Sequence, residues 1–154
     1  MKAVKAIDLD VLSRCGYPEP FRSRVMPREK RALGDAFGLT AFGVNLTTLP
    51  PGKESSMRHW HDREDEFVYV LDGEVVLRTD GGEEVLTAGM CAGFKAGDAD
   101  AHQIVNRSER PATYLEIGSR DEADVCVYED VDLAYGADAQ GNFRYEHKDG
   151  TPYT

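Results

Sequence analysis

His59, Trp60 and His61, followed by Glu66 and later by His102, are the residues of this chain best suited to chemistry. Imidazole is the commonest protein ligand for transition metals, and a carboxylate is its usual companion. Of the four histidines in the chain, three lie in these two glycine-marked segments. In a strand, residues two apart share a face, so His59 and His61 project together and Trp60 points away. Glu66 follows His61 by five positions, the wrong parity for one continuous strand. The polar run Asp62-Arg63-Glu64-Asp65 supplies a turn, which lets Glu66 open the next strand and face inward again. His102 opens another β-prone run after the Lys95-Ala96-Gly97 turn and offers a fourth donor. Taken singly, each residue also fits a plainer role. His59 and His61 would serve as exposed histidines, Glu66 as a strand-end carboxylate and His102 as a core or surface histidine. Taken together, the pattern favours a metal. His147, in the C-terminal tail, reads as surface.

The elements that must position these donors read as β-structure. From Leu39 onward, short apolar segments alternate with Gly/Asp turns: 39–49, 57–61, 66–71, 74–79, 84–87, 90–94, 102–106, 112–118 and 124–129. Asp72-Gly73 is a hairpin signal. This punctuation argues an all-β sandwich or barrel. Pro18, Pro20, Pro27, Gly16, Gly34 and Gly38 mark residues 13–38 as loop or arm, with a short helix or none around Arg28–Phe37. In the tail, Tyr135, Phe143, Tyr145 and Tyr153 are expected to pack on the chain's own body or on a sister subunit.

Composition excludes some functions. At 154 residues and 17.1 kDa, one domain is expected. The net charge of −10 disfavours nucleic acid and anionic membrane surfaces as partners. Residues 1–31 run against this trend, with eight Lys/Arg and four Asp/Glu. That excess fits a solvated surface or a basic arm lying on an acidic body. Cys15, Cys91 and Cys126 are odd in number and unpaired in spacing, as expected of free thiols in a reducing cytoplasm. Cys91 reads as core packing. There is no secretory-type apolar run at the N-terminus and no segment of the ~20 apolar residues that span a bilayer.

The first segment resembles the first motif of the cupin superfamily: Gly52, six residues, His59-x-His61, four residues, Glu66, six residues, Gly73. The second resembles the second cupin motif: Gly89, Gly97, His102, three residues, Asn106. It departs in carrying Lys95 where the motif has proline, and in a longer spacing from Gly97 to His102. The resemblance covers about Leu39–Tyr128. It implies a small, single-domain (type 2) cupin, a double-stranded β-helix (jelly-roll) barrel over 39–130. An irregular N-terminal arm over 1–38 would precede it, and an aromatic-rich tail over 131–154 would follow.

The resemblance further implies one divalent transition metal held by His59, His61, Glu66 and His102. Three imidazoles and a carboxylate leave open coordination positions, which is the arrangement of a catalytic or ligand-binding metal. Nitrogen and oxygen donors suit iron(II), manganese, nickel, zinc, cobalt or copper. Within cupins this covers sugar-phosphate isomerases and iron-dependent dioxygenases acting on a small polar metabolite. The alternative is a non-catalytic metal-dependent module that binds or senses a small ligand. A phosphate needs a cationic anchor, and near the motifs only Lys53, Arg58 and Lys95 offer one. Tyr114 and Glu116 share one strand face, but the alternation leaves open whether that face meets substrate, solvent or a subunit interface. Asn45 and Gln103 are further polar candidates for the pocket. Residues 66–71 are apolar on both faces, which calls for an outer cover and predicts a homodimer.

Overall fold

Turn residues cut this chain into strands too short to bury a face alone, so the strands assemble into stacked sheets. The computed structural model describes residues 3–12, 14–137 and 140–153. The strands are β1 (Glu29–Ala32), β2 (Phe42–Leu49), β3 (His59–His61), β4 (Glu66–Asp72), β5 (Glu74–Thr79) and β6 (Gly82–Thr87). They continue as β7 (Cys91–Phe94), β8 (Gln103–Val105), β9 (Ala112–Ser119), β10 (Cys126–Tyr128), β11 (Ala134–Ala137) and β12 (Phe143–Glu146). Among the described residues, a short α-helix, α1 (Phe21–Val25), and two 3-10 turns, Ala6–Asp8 and Asp35–Phe37, lie in the N-terminal segment. Among the described residues no helix is long and apolar enough to cross a membrane.

The strands form three antiparallel sheets, ordered β1-β2-β9-β4-β7, β6-β5-β8 and β12-β11-β10-β3. The main core lies between the first two. Leu49, Val68, Val70, Ala112 and Tyr114 from the five-stranded sheet meet Val75, Leu77, Leu86 and Ile104 from the three-stranded one. Period-two alternation puts these residues on one face of each strand. A second core joins the N-terminal segment to the tail through Tyr17, Phe21, Val25, Met57, Tyr128 and Leu133. Tyr145 packs against Tyr17 with rings tilted and centroids 4.9 Å apart, and Tyr153 meets Phe21 edge-on at 5.9 Å, so two of the tail aromatics pack on the chain itself.

Three local readings change in the folded chain. The stretch read as short helix or loop contains β1, whose Lys30 lies opposite Thr47 and Ala32 opposite Asn45. Cys91 is exposed rather than core, because its partner in the β4–β7 ladder is Tyr69, on the outward face. Gln103 is buried, but it bonds Arg78 and the Ser56 carbonyl and so serves structure.

Gly73 shows why the first motif closes on glycine. Its φ of 79° lies in the left-handed region, and a Cβ there would sit 2.9 Å from the Pro111 carbonyl. Only glycine meets both conditions at the β4–β5 turn.

Candidate metal centre

The β3–β4 turn does more than restore parity. β3 pairs with β10, whereas β4 pairs with β7 and β9, so the turn carries the chain from one sheet to another. His59 and His61 therefore face Glu66 across the fold and not along a shared ladder. His102 joins them by backbone pairing: His59 N donates to His102 O at 3.1 Å and His102 N to His59 O at 2.8 Å.

His59, Glu66 and His102 come together as one group, and His61 reaches it through Glu66. The Nε2 atoms of His102, His59 and His61 lie 2.7, 3.3 and 3.6 Å from one atom, Glu66 Oε2. That oxygen is buried, and no hydrogen bond satisfies it among the described residues. The ligand atoms of His59, Glu66 and His102 fall within 4.8 Å of one another, close enough to hold one ion.

Each ring is oriented by a different device. His59 Nδ1 lies 2.8 Å from the Met57 carbonyl, which can only accept, so the ring proton sits on Nδ1 and Nε2 turns its lone pair inward. His61 Nδ1 lies 2.5 Å from Asp124 Oδ2, which fixes the same tautomer. His102 has no polar partner for Nδ1 among the described residues. Phe94 holds it instead, stacked at 3.6 Å and 4°.

The electrostatics follow from burial and this crowding. Burial lowers the pKa of His59, but Glu66 outweighs it and the net shift is upward. For His102 burial prevails over Glu66 and the pKa falls. Burial raises the pKa of Glu66, but contact with His102 and His59 pulls it well below the usual carboxylate range. Asp124 is lowered too: burial opposes ionisation, while His61 and two backbone N–H groups outweigh it.

The cluster opens into a cavity of about 460 Å³. Its walls carry residues that sequence reasoning passed over or left undecided. Lys53, Arg58 and Lys95 do not line it, whereas Arg28, Lys30 and Arg120 do. Arg58 is engaged by Asp130 and Asp80. Lys30 Nζ lies 2.7 Å from Glu116 Oε2, both side chains about a quarter exposed, and Arg28 donates to the Ser55 carbonyl. Glu116 and Asn45 face inward, which settles the phase of β9, and Tyr114 on the same face is fully buried. Residues 28–31 are charged throughout and show no polar/apolar alternation, so nothing in the sequence marks this stretch as a strand facing the cavity. For Asp124, in an acidic stretch of ordinary composition, the sequence carries no signal either.

Comparisons with known proteins agree with this geometry. A comparison with curated protein sequences finds no match. The Cupin domain family model matches residues 45–118, from β2 through most of β9. A crystal structure described as a sugar phosphate isomerase from a cupin superfamily, from Silicibacter pomeroyi, is 41% identical. It superposes with a TM-score of 0.89 over 99% of this chain and 96% of its own. A protein of Acidithiobacillus ferrooxidans ATCC 23270 is 31% identical, with a TM-score of 0.71 over 82% of this chain and 80% of its own. The polyketide cyclase RemF of Streptomyces resistomycificus, at 19% identity and TM-score 0.63 over 79% of this chain and 80% of its own, shares the fold. Motif, jelly-roll topology and full-length similarity together place the chain in the cupin superfamily.

Proposed function

We propose that the protein is a metal-dependent isomerase of a phosphorylated sugar. The observation that carries the reading is the pairing, in one cavity, of the His59/His61/Glu66/His102 cluster with the cations Arg28 and Lys30. The relative from Silicibacter pomeroyi supports it. The donor set suits a divalent ion: inward Nε2 lone pairs on His59 and His61, and a buried Glu66 oxygen left without a hydrogen bond. Bound there, such an ion would polarise the hydroxy-carbonyl end of the substrate.

The chain's own residues supply the rest. Arg28 and Lys30 would hold the phosphate through charge-assisted bonds. Lys30 has three donors, so it can keep Glu116 while engaging a phosphate oxygen. The Glu116 carboxylate is placed on the same wall to take a proton from one substrate carbon and return it to its neighbour. The wall cations suit an anionic substrate, and the description of the Silicibacter pomeroyi relative makes a phosphate the favoured anion.

The test is turnover of aldose and ketose phosphates in deuterium oxide, followed by proton NMR with manganese-, zinc- or iron-loaded protein. Interconversion with deuterium at the carbon that receives the proton is expected, and Lys30→Met should raise KM. Iron-dependent oxygen uptake without isomerisation would favour a dioxygenase, and binding without turnover a sensing module. Metal analysis of His59→Ala/His61→Ala tests the site itself: undiminished stoichiometry means that these are not the ligands.

A further inference from the structure

Asp124 lies outside both sequence motifs, and both of its oxygens are in use. Oδ2 lies 2.5 Å from His61 Nδ1. Oδ1 accepts from Arg63 N at 2.9 Å and Glu64 N at 3.1 Å, in the turn that leads from His61 to Glu66. The segment bearing Asp124 is latched to that same turn. Val125 N donates to Asp62 Oδ1 at 2.6 Å, Asp62 N to Val125 O at 3.1 Å, and Asp121 N to Glu64 Oε1 at 2.8 Å. The Asp124 side chain is only 9% exposed, so water competes weakly for these bonds.

We propose that Asp124 is a positioning residue of the metal centre. It sets the tautomer of His61 and, through the same carboxylate, the turn that brings Glu66 opposite the histidines. The proposal rests on the reading of His59, His61, Glu66 and His102 as a metal site. A carboxylate facing Nδ1 can only accept, so it keeps the ring proton there and leaves Nε2 free to ligate. The two backbone N–H groups fix which oxygen is left for His61. No other ligand of the cluster has a side chain that serves the ring and the connecting turn together. His59 relies on a backbone carbonyl and a Ser56 hydroxyl, and His102 on Phe94.

The discriminating substitution is Asp124→Asn. Only the amide carbonyl can accept from Arg63 and Glu64, so the turn is kept and the NH₂ is driven towards His61 Nδ1. That inverts the tautomer: Nδ1 must accept, the proton moves to Nε2, and the ligating lone pair is blocked. Two readouts test this without turnover. Long-range ¹⁵N–¹H NMR of the metal-free protein should show His61 as the Nδ1–H tautomer in wild type and the Nε2–H tautomer in Asp124→Asn. Cobalt(II) titration should show binding about 10–100-fold weaker in the variant, the range for loss of such a partner. A second variant, Asp124→Ala, loses the turn bonds as well and is expected to bind no better than Asp124→Asn. If wild type binds no cobalt, the metal reading itself fails. If wild type binds and Asp124→Asn matches it in affinity and tautomer, the positioning role is overturned.

Discussion

Replacing Asn106 by alanine should destabilise the fold by about 2–5 kcal/mol, although the residue touches neither the cavity nor a candidate ligand. Asn106 is fully buried, and its side chain makes four bonds. Nδ2 donates to Leu49 O and Arg110 O, each at 2.8 Å, while Oδ1 accepts from Ser108 N at 2.9 Å and Ser108 Oγ at 2.8 Å. Alanine takes away the donor at Leu49 O and the acceptor of Ser108 N. Arg110 O keeps Ser108 Oγ at 2.9 Å. Two buried or half-buried groups are therefore left short of a partner, each costing about 1–3 kcal/mol, and the vacated volume adds to that. At roughly 2–4 °C per kcal/mol for a domain of this size, Tm should fall by about 4–20 °C. Urea unfolding with a shared m-value gives the free energy. The informative contrast is Asn106→Asp, which keeps the acceptor but turns a carboxylate oxygen towards two carbonyls, so it should be at least as damaging as Asn106→Ala. A loss below about 1 kcal/mol for alanine, or a milder effect for aspartate, would refute the assignment of Asn106 as the staple between β2 and the 106–111 loop.

Three further outcomes are expected. Phe94→Leu keeps apolar volume but removes the ring stacked on His102; an aromatic contact of this kind contributes about 0.5–1.5 kcal/mol, so cobalt affinity should drop roughly 2–13-fold with little change in Tm, and an unchanged dissociation constant would mean that the stack does not orient the ring. Burial pushes the Tyr17 phenol up to about 12 and also raises Tyr128 and Tyr145; a raised folded pKa contributes stability fully below the unfolded value near 10 and loses it as pH climbs towards 12, so a stability that stays flat over that window, with these phenols titrating normally by tyrosinate absorbance, would contradict the burial of the second core. Phe42, Phe67, Tyr69 and Leu71 stand 38–44% exposed on the outer face of the five-stranded sheet, so we expect a homodimer covering it: sedimentation should give twice 17.1 kDa for wild type and a monomer for Tyr69→Glu, and a wild-type monomer at micromolar concentration removes the idea.

How far the sequence speaks depends on the range of the interaction. Strand parity is local, so the shared face of His59 and His61 and the role of the 62–65 turn in bringing Glu66 inward were legible. Sheet membership is not local. Nothing in the run from His61 to Glu66 says that β3 and β4 belong to different sheets, because the partners that decide it, β10 and β9, lie far along the chain. Charge failed for the same reason. Lys53, Arg58 and Lys95 are near the motifs in sequence, whereas Arg28 and Lys30 reach the cavity through pairing of β1 with β2. Asp124 is farther still from the residue it serves, and only the folded chain brings its carboxylate to His61.

Trp60 is the single tryptophan of the chain, set between two candidate ligands but on the opposite face of β3. Its Nε1 donates to Glu129 Oε1 at 3.0 Å, which ties the indole to the end of β10. The protein thus carries one indole among its seven tyrosines, fixed to the strand that bears His59 and His61 and clear of the cavity lining. Indole emission therefore reports on the β3–β10 seam behind the centre, with no second tryptophan to dilute the signal and no label to disturb it.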